Sequence, residues 1–174
     1  MFNGAQRIGS GIFFGHFPFV KFVGLPISTY RSQPAAIFRK AAKRLGAKFV
    51  TQHFRNAQKG MAEMRRVLKS GQIVGVTTNI YWLSYFPDRF RFQFNGHNIV
   101  ILREIDNGFR VSDPVLEQPV DCLTEDLIRA RFARGPLEPH GFMYYPALIN
   151  RHPDFRSACI KGMLDTCNLM LRIP

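Results

Sequence analysis

Apolar residues recur at two periods along this chain, and the switch between them divides it. Over Pro34 to Leu45, Ile37, Ala41, Ala42 and Leu45 fall at helical spacing, and Gly46 stands where a helix ends. Asn56 to Lys69 predicts a second helix, with Met61, Met64, Val67 and Leu68 inside and Ser70-Gly71 as the stop. From Gln72 the pattern turns to strands. Ile73-Val74-Gly75-Val76-Thr77 is a short apolar run suited to a buried central strand. Phe90, Phe92 and Phe94 alternate with Arg89, Arg91 and Gln93, which predicts a half-buried strand. Asn98 to Leu102 and Phe109 to Ser112, joined through Asp106-Asn107-Gly108, predict a hairpin. Thr124 has the chemistry of an N-cap, with Glu125 and Asp126 in the first turn of a helix running to about Phe132. Met143-Tyr144-Tyr145 reads as one more strand. The last predicted helix, Pro153 to Leu171, carries Cys159, Met163, Cys167 and Leu171 at steps of four, with Ile160 and Leu164 beside them. That apolar face needs something to pack on.

The first thirty residues are rich in Gly and Phe, around Gly9-Ser10-Gly11-Ile12-Phe13-Phe14-Gly15. They read as a loop that enters a strand or a buried turn. The spacing is not that of a dinucleotide fingerprint and no predicted strand precedes it, which argues against a phosphate cradle there. Helices followed by strands joined in hairpins give an α+β class.

At 174 residues, 46% hydrophobic and 21% charged, the chain is long and apolar enough to bury a core and is not of disordered composition. No apolar run reaches the length of a membrane span, and the N-terminus lacks the basic and apolar regions of a signal peptide. Three scattered cysteines form neither a disulfide framework nor a CxxC metal site, so the expected setting is the reducing cytoplasm, with no metal and no cofactor. The formal charge of +12 is concentrated in Arg39, Lys40, Lys43, Arg44 and Lys48, in Lys59, Arg65, Arg66 and Lys69, and in Arg129, Arg131 and Arg134. Such runs are ordinarily solvated helix faces, and the functional alternatives are an acidic protein surface, an anionic substrate or nucleic acid. No helix-turn-helix, zinc-finger or RNP-type motif supports the last.

The chemistry-bearing feature is Gly96-His97-Asn98-Ile99-Val100-Ile101-Leu102 followed by Val111-Ser112-Asp113-Pro114. A histidine opening one strand and an aspartate closing its neighbour form the base-and-orienter half of a cysteine or serine nucleophile system. The plain alternative is a packing histidine and an Asp-Pro turn. A geometric condition separates the two. With a two-residue Asn107-Gly108 turn, Asp113 lies opposite Leu102 and faces away from His97, whereas a longer turn or a bulge restores a common face.

Gly71 through Tyr145 resembles the N-terminal domain of the butirosin biosynthesis protein H family. The residues that carry the resemblance are Ile73-Val74-Gly75-Val76, Tyr81-Trp82-Leu83-Ser84-Tyr85, Gly96-His97-Asn98-Ile99-Val100, Val111-Ser112-Asp113-Pro114 and Leu127-Ile128-Arg129-Ala130-Arg131-Phe132. The start, Ile8-Gly9-Ser10-Gly11-Ile12-Phe13-Phe14, is similar to the segment after the family's nucleophile helix. The resemblance implies a papain-like cysteine-peptidase fold, an antiparallel sheet packed with helices, over residues 1–150, with 151–174 beginning a helical region. It also implies acyl or aminoacyl transfer in secondary metabolism, from an acidic acyl carrier protein's thioester to an amine or hydroxyl of a small-molecule acceptor. His97 is then the base and Asp113 its orienter in a Cys-His-Asp triad. Tyr81, Trp82 and Tyr85 are candidates to line the substrate pocket, with an ordinary core cluster as the alternative.

The nucleophile departs from that pattern. Cys122 precedes the Thr124 cap, and Cys159 and Cys167 lie on the last helix, so none of the three fits the family's position. The expectation is a chain cut at its N-terminus, inactive as it stands. A thiol hydrolase or peptidase of the same fold, or a non-catalytic module that binds an acidic partner, are the competing readings.

Overall fold

The two periods of the sequence become alternating helices and strands in the computed structural model, which describes residues 16–22, 26–31, 34–136 and 138–171. In chain order these are β1 (His16–Phe22), β2 (Pro26–Arg31), α1 (Pro34–Leu45), β3 (Lys48–Gln52), α2 (Ala57–Lys69), β4 (Val74–Thr78), β5 (His97–Ile105), β6 (Gly108–Ser112), β7 (Val120–Leu123), α3 (Thr124–Arg131), β8 (Met143–Leu148) and α4 (Phe155–Met170). Two compact units result, with boundaries at Lys48/Phe49 and Ala147/Leu148.

The class is α+β. One sheet has the order β3-β8-β4-β5-β6-β7, and each neighbouring pair from β8 to β7 is antiparallel. β1 and β2 form their own antiparallel hairpin within the Gly- and Phe-rich region. The remainder of the glycine-rich start, residues 1–15, lies outside the described residues.

The core of the larger unit follows from the apolar spacing. Asn56 caps α2 through its side-chain oxygen, which accepts from the Lys59 N–H at 2.9 Å. Gly60, Met61, Met64 and Val67 then form a buried stripe one turn apart. That stripe joins Val74 and Val76 of β4, Ile99 and Ile101 of β5, Phe109 and Val111 of β6, Leu127 and Ala130 of α3 and Met143 of β8 in one cluster. Central strand β4 has Gly75 directly beneath the Tyr144 ring, so a Cβ there would run into that ring.

Three sequence expectations are corrected. Phe90, Phe92 and Phe94 are not on a strand. A 3-10 turn covers Asp88–Phe90 and residues 91–94 join no ladder. The rings stay 40–59% exposed, because they find partners on the surface. Arg89 lies over the Phe90 ring at 4.9 Å, and the Phe92 and Phe94 rings are 6.1 Å apart.

Thr124 is the first residue of α3 and not its cap. Leu123 occupies the cap position without a side-chain bond, and the Thr124 N–H is taken by the Asn107 carbonyl of the β5–β6 turn at 3.2 Å. The last helix packs on a face other than the expected one. Ala158 and Gly162 are buried on the side shared with Asp165, which pairs with Arg44 of α1 at 2.6 Å. Ile160, Met163 and Leu164 point outward and are 47–58% exposed.

The Gly75–Tyr144 contact is testable by a double-mutant cycle. Gly75→Ala should cost about 1–3 kcal/mol in denaturant unfolding. In a Tyr144→Ala background, where the ring is gone, the same change should be close to neutral.

Candidate active site

His97 opens β5 and pairs with Thr78 at the end of β4. Whether Asp113 can reach it is decided by the β5–β6 register. Ile105 pairs with Gly108, closing a two-residue Asp106-Asn107 turn, and Glu104–Phe109 and Arg103–Arg110 follow. A regular ladder continued from there would set Asp113 against Val100, on the face opposite His97. The ladder is not regular. Beyond Leu102 the pairs become Ile101–Val111 and Val100–Ser112, so Leu102 is the extra residue of a β-bulge. Asp113 then falls opposite Ile99, which shares a face with His97.

The two side chains meet in the interior. His97 Nε2 lies 2.6 Å from Asp113 Oδ2, and the residues are 9% and 3% exposed. Asp113 Oδ2 also accepts from the Tyr85 hydroxyl at 2.7 Å, and Oδ1 accepts from the Val115 N–H at 2.9 Å. With donors already on both oxygens, an ionised Asp113 can only accept from His97, and an imidazole that faces it through Nε2–H keeps its lone pair on Nδ1. The Phe86 ring stands edge-on to the imidazole at 5.9 Å and 73°. The Thr78 hydroxyl donates to the His97 carbonyl at 3.0 Å.

The segment leading into His97 is held by amide side chains. Asn79 Nδ2 donates to Asn95 Oδ1 at 2.7 Å and to Gln93 Oε1 at 3.0 Å. Asn95 Nδ2 in turn donates to the Pro136 carbonyl at 2.8 Å. Sequence reasoning missed Thr78, Asn79, Asn95 and Phe86. The available signal was a threonine and an asparagine directly after the apolar run Val74-Gly75-Val76, where a buried polar side chain has to find a partner.

The three aromatic residues singled out in the sequence separate. Tyr81 is 40% exposed and meets Trp82 edge-on at 5.1 Å. Trp82 packs on the core with Arg129 above its ring at 5.6 Å. Tyr85 turns its hydroxyl to Asp113. Cys122 is 1% exposed and sits on β7 opposite Phe109, four residues along β6 from Asp113. Burial, reinforced by the charge of Asp126, pushes its thiol up to about 12. It is a packed core thiol. Cys159 and Cys167 lie on α4 in the other unit. Among the described residues no three His, Cys, Asp or Glu side chains converge as metal ligands would.

Two outcomes follow from the buried thiol. In the native protein iodoacetamide should label Cys159 and Cys167 while Cys122 stays unmodified until denaturant is added, as peptide mass mapping can read. Stability should also fall at high pH. Burial raises the hydroxyl of Tyr144 to about 12 and, with the Asp113 charge, holds that of Tyr85 above the ordinary phenol range. The unfolded chain therefore binds fewer protons than the folded one from about pH 9 upward, and unfolding free energy declines as pH rises toward 12. Cys122→Ala should reduce that slope in urea titrations.

With this geometry in place, comparison with known proteins is informative about family. No curated protein matches the chain. A crystal structure described as a C39-like peptidase from Bacillus anthracis is similar at 18% identity with a TM-score of 0.49, over 72% of this chain and 64% of that one. The chain thus spans less than two thirds of that neighbour's length. The model of the family described as "Butirosin biosynthesis protein H, N-terminal" matches residues 4–114, a stretch that includes β4 to β6 and both His97 and Asp113. The papain-like class of fold implied by the sequence resemblance, an antiparallel sheet packed with helices, agrees with the sheet described above, and the chain belongs to the butirosin biosynthesis protein H N-terminal family.

Proposed function

We propose that this domain serves acyl transfer by a thiolate, with His97 as the base and Asp113 as its orienter. The observation that supports this reading best is the buried 2.6 Å contact between His97 Nε2 and Asp113 Oδ2, which leaves Nδ1 as the proton-accepting nitrogen. A histidine held in that tautomer can take a proton from a thiol at Nδ1 and later return it. Cys122 is sealed in the core, and the reading assigns the thiol to none of the three cysteines described above.

The steps balance as follows. The thiol gives its proton to His97, and the thiolate attacks the carbonyl carbon of a thioester. The donor's C–S bond breaks, and the departing thiolate takes the proton from the imidazolium. An amine or hydroxyl of a small-molecule acceptor then attacks the acyl-enzyme while His97 removes its proton, and the enzyme's C–S bond breaks to regenerate the thiolate. Asp113 stabilises the imidazolium in each half-reaction. Tyr81 and Trp82 are the candidates to border the acyl or acceptor group.

The donor we propose is an acyl group on an acidic carrier protein. Support comes from the partition of charge. Residues 1–48 and 148–174 carry twelve basic and two acidic side chains, against twelve and ten in 49–147, so +10 of the net +12 lies in the smaller unit. Its helix α1 has no acidic residue and exposes Arg39, Lys40 and Lys43. A one-signed surface of this kind speeds encounter with an acidic partner.

Intact-mass measurement of the natural full-length polypeptide, incubated with an acyl-carrier thioester, tests the chemistry. A single acyl adduct on cysteine is expected, abolished by His97→Ala and slowed ~10²–10⁴-fold by Asp113→Asn. Acylation at an unchanged rate in His97→Ala would sink the reading. For the partner, charge reversal at Arg39, Lys40 and Lys43 should weaken carrier-protein binding in low salt, and the difference should vanish near 1 M salt, where the screening length falls to about 3 Å. Binding indifferent to both salt and charge reversal would remove the carrier protein from the account.

A further inference from the structure

We propose that Tyr85 is a positioning residue for the His97–Asp113 pair, fixing the orientation of the carboxylate and through it the imidazole tautomer. The inference rests on the reading of His97 as the base. It assigns Tyr85 a different task from lining a substrate pocket.

The geometry carries it. Asp113 uses Oδ2 for two donors, His97 Nε2 at 2.6 Å and the Tyr85 hydroxyl at 2.7 Å, while the Val115 N–H holds Oδ1 at 2.9 Å. His97 is the group to be oriented, so the frame that fixes the carboxylate is the Val115 N–H at Oδ1 and the Tyr85 hydroxyl at Oδ2. A carboxylate held by that frame at one oxygen only could swing about its Cβ–Cγ bond and carry the imidazole with it. One anchored at both cannot turn without breaking bonds in a buried place where water does not replace them. The phenol proton is given to Asp113, so Tyr85 has no donor left for a substrate.

The neighbouring residue acts on the other partner. Phe86, 4% exposed, stands edge-on to the His97 ring at 5.9 Å. Consecutive residues of one turn therefore contact both members of the pair. The turn itself is pinned by Leu83, fully buried, whose carbonyl accepts from the Phe86 N–H at 3.0 Å. Burial first, and the Asp113 charge next, keep the Tyr85 hydroxyl protonated beyond the ordinary phenol range, so it remains a donor throughout neutral pH. Free of the tyrosine, the Asp113 carboxylate can rotate and the imidazole can exchange its proton between Nε2 and Nδ1.

The test is Tyr85→Phe, which keeps the ring and removes only the hydroxyl, read by nitrogen-15 and proton NMR of the His97 ring. The native protein should show the Nε2–H tautomer alone. Tyr85→Phe should bring in the Nδ1–H form and speed exchange of the Nε2 proton about tenfold, with backbone amide shifts away from the site unchanged. Tyr85→3-fluorotyrosine, which restores the hydroxyl, should restore the native ring spectrum. An unaltered ring spectrum in Tyr85→Phe overturns the proposal, and so does loss of the native spectrum in the fluorotyrosine protein, which would trace the effect to ring packing. In the full-length enzyme Tyr85→Phe should lower kcat with KM unchanged. A raised KM at constant kcat would instead make Tyr85 a substrate contact. The ring spectrum needs no turnover, so failure of His97 as the base, seen in the His97→Ala adduct assay, is distinguishable from failure here.

Discussion

A buried carboxylate has to be met by a donor at each oxygen, and Asp113 is the group whose demand organises this domain. It lies just beyond the end of β6, where the ladder stops, and three separate parts of the chain reach it: His97 from β5, Tyr85 from the turn after β4, and the Val115 backbone from its own turn. Leaving any one of these unmade strands a buried charge, which is more costly than the bond itself is stabilising. The bulge at Leu102, the 83–86 turn and the amide network of Asn79 and Asn95 are all devices that deliver these donors. The helices α2 and α3 supply apolar side chains to the core on which this sheet packs.

Much of the fold was legible in the sequence, because burial there follows a period. Met61, Met64 and Val67 identified α2, and Val74-Gly75-Val76 identified the central strand, since such patterns have one packing solution. The same logic misled where an apolar pattern had a local partner. Phe90, Phe92 and Phe94 alternate as a strand would, yet Arg89 and the rings themselves satisfy them at the surface. In α4 the small residues Ala158 and Gly162 took the packed face and left Ile160, Met163 and Leu164 outside. Helix periodicity ranks faces by apolarity, while close approach selects them by size.

The candidate site was half legible. His97 and Asp113 stand out as types and by their place on strands, and the sequence stated the condition for their meeting. It held no sign of whether that condition is met. A bulge leaves no mark in composition, because the extra residue, Leu102, is as apolar as its neighbours. Tyr85 was visible as an aromatic, but its role depends on where the hydroxyl points, which only the packed turn decides. The charge was legible in sum and not in place, since the +10 of one unit emerges only when residues 1–48 and 148–174 are seen to belong together.

The central claim is that the register of one hairpin holds His97 as a base with its lone pair on Nδ1. Neutron diffraction from a deuterium-exchanged crystal at neutral pH addresses it directly by locating the exchangeable proton of this pair. The account predicts a deuteron on His97 Nε2 pointing at Asp113 Oδ2, none on Nδ1, and an ionised Asp113. A deuteron found on Nδ1, with Asp113 protonated at Oδ2, would contradict it, since the imidazole would then have no lone pair to offer a thiol.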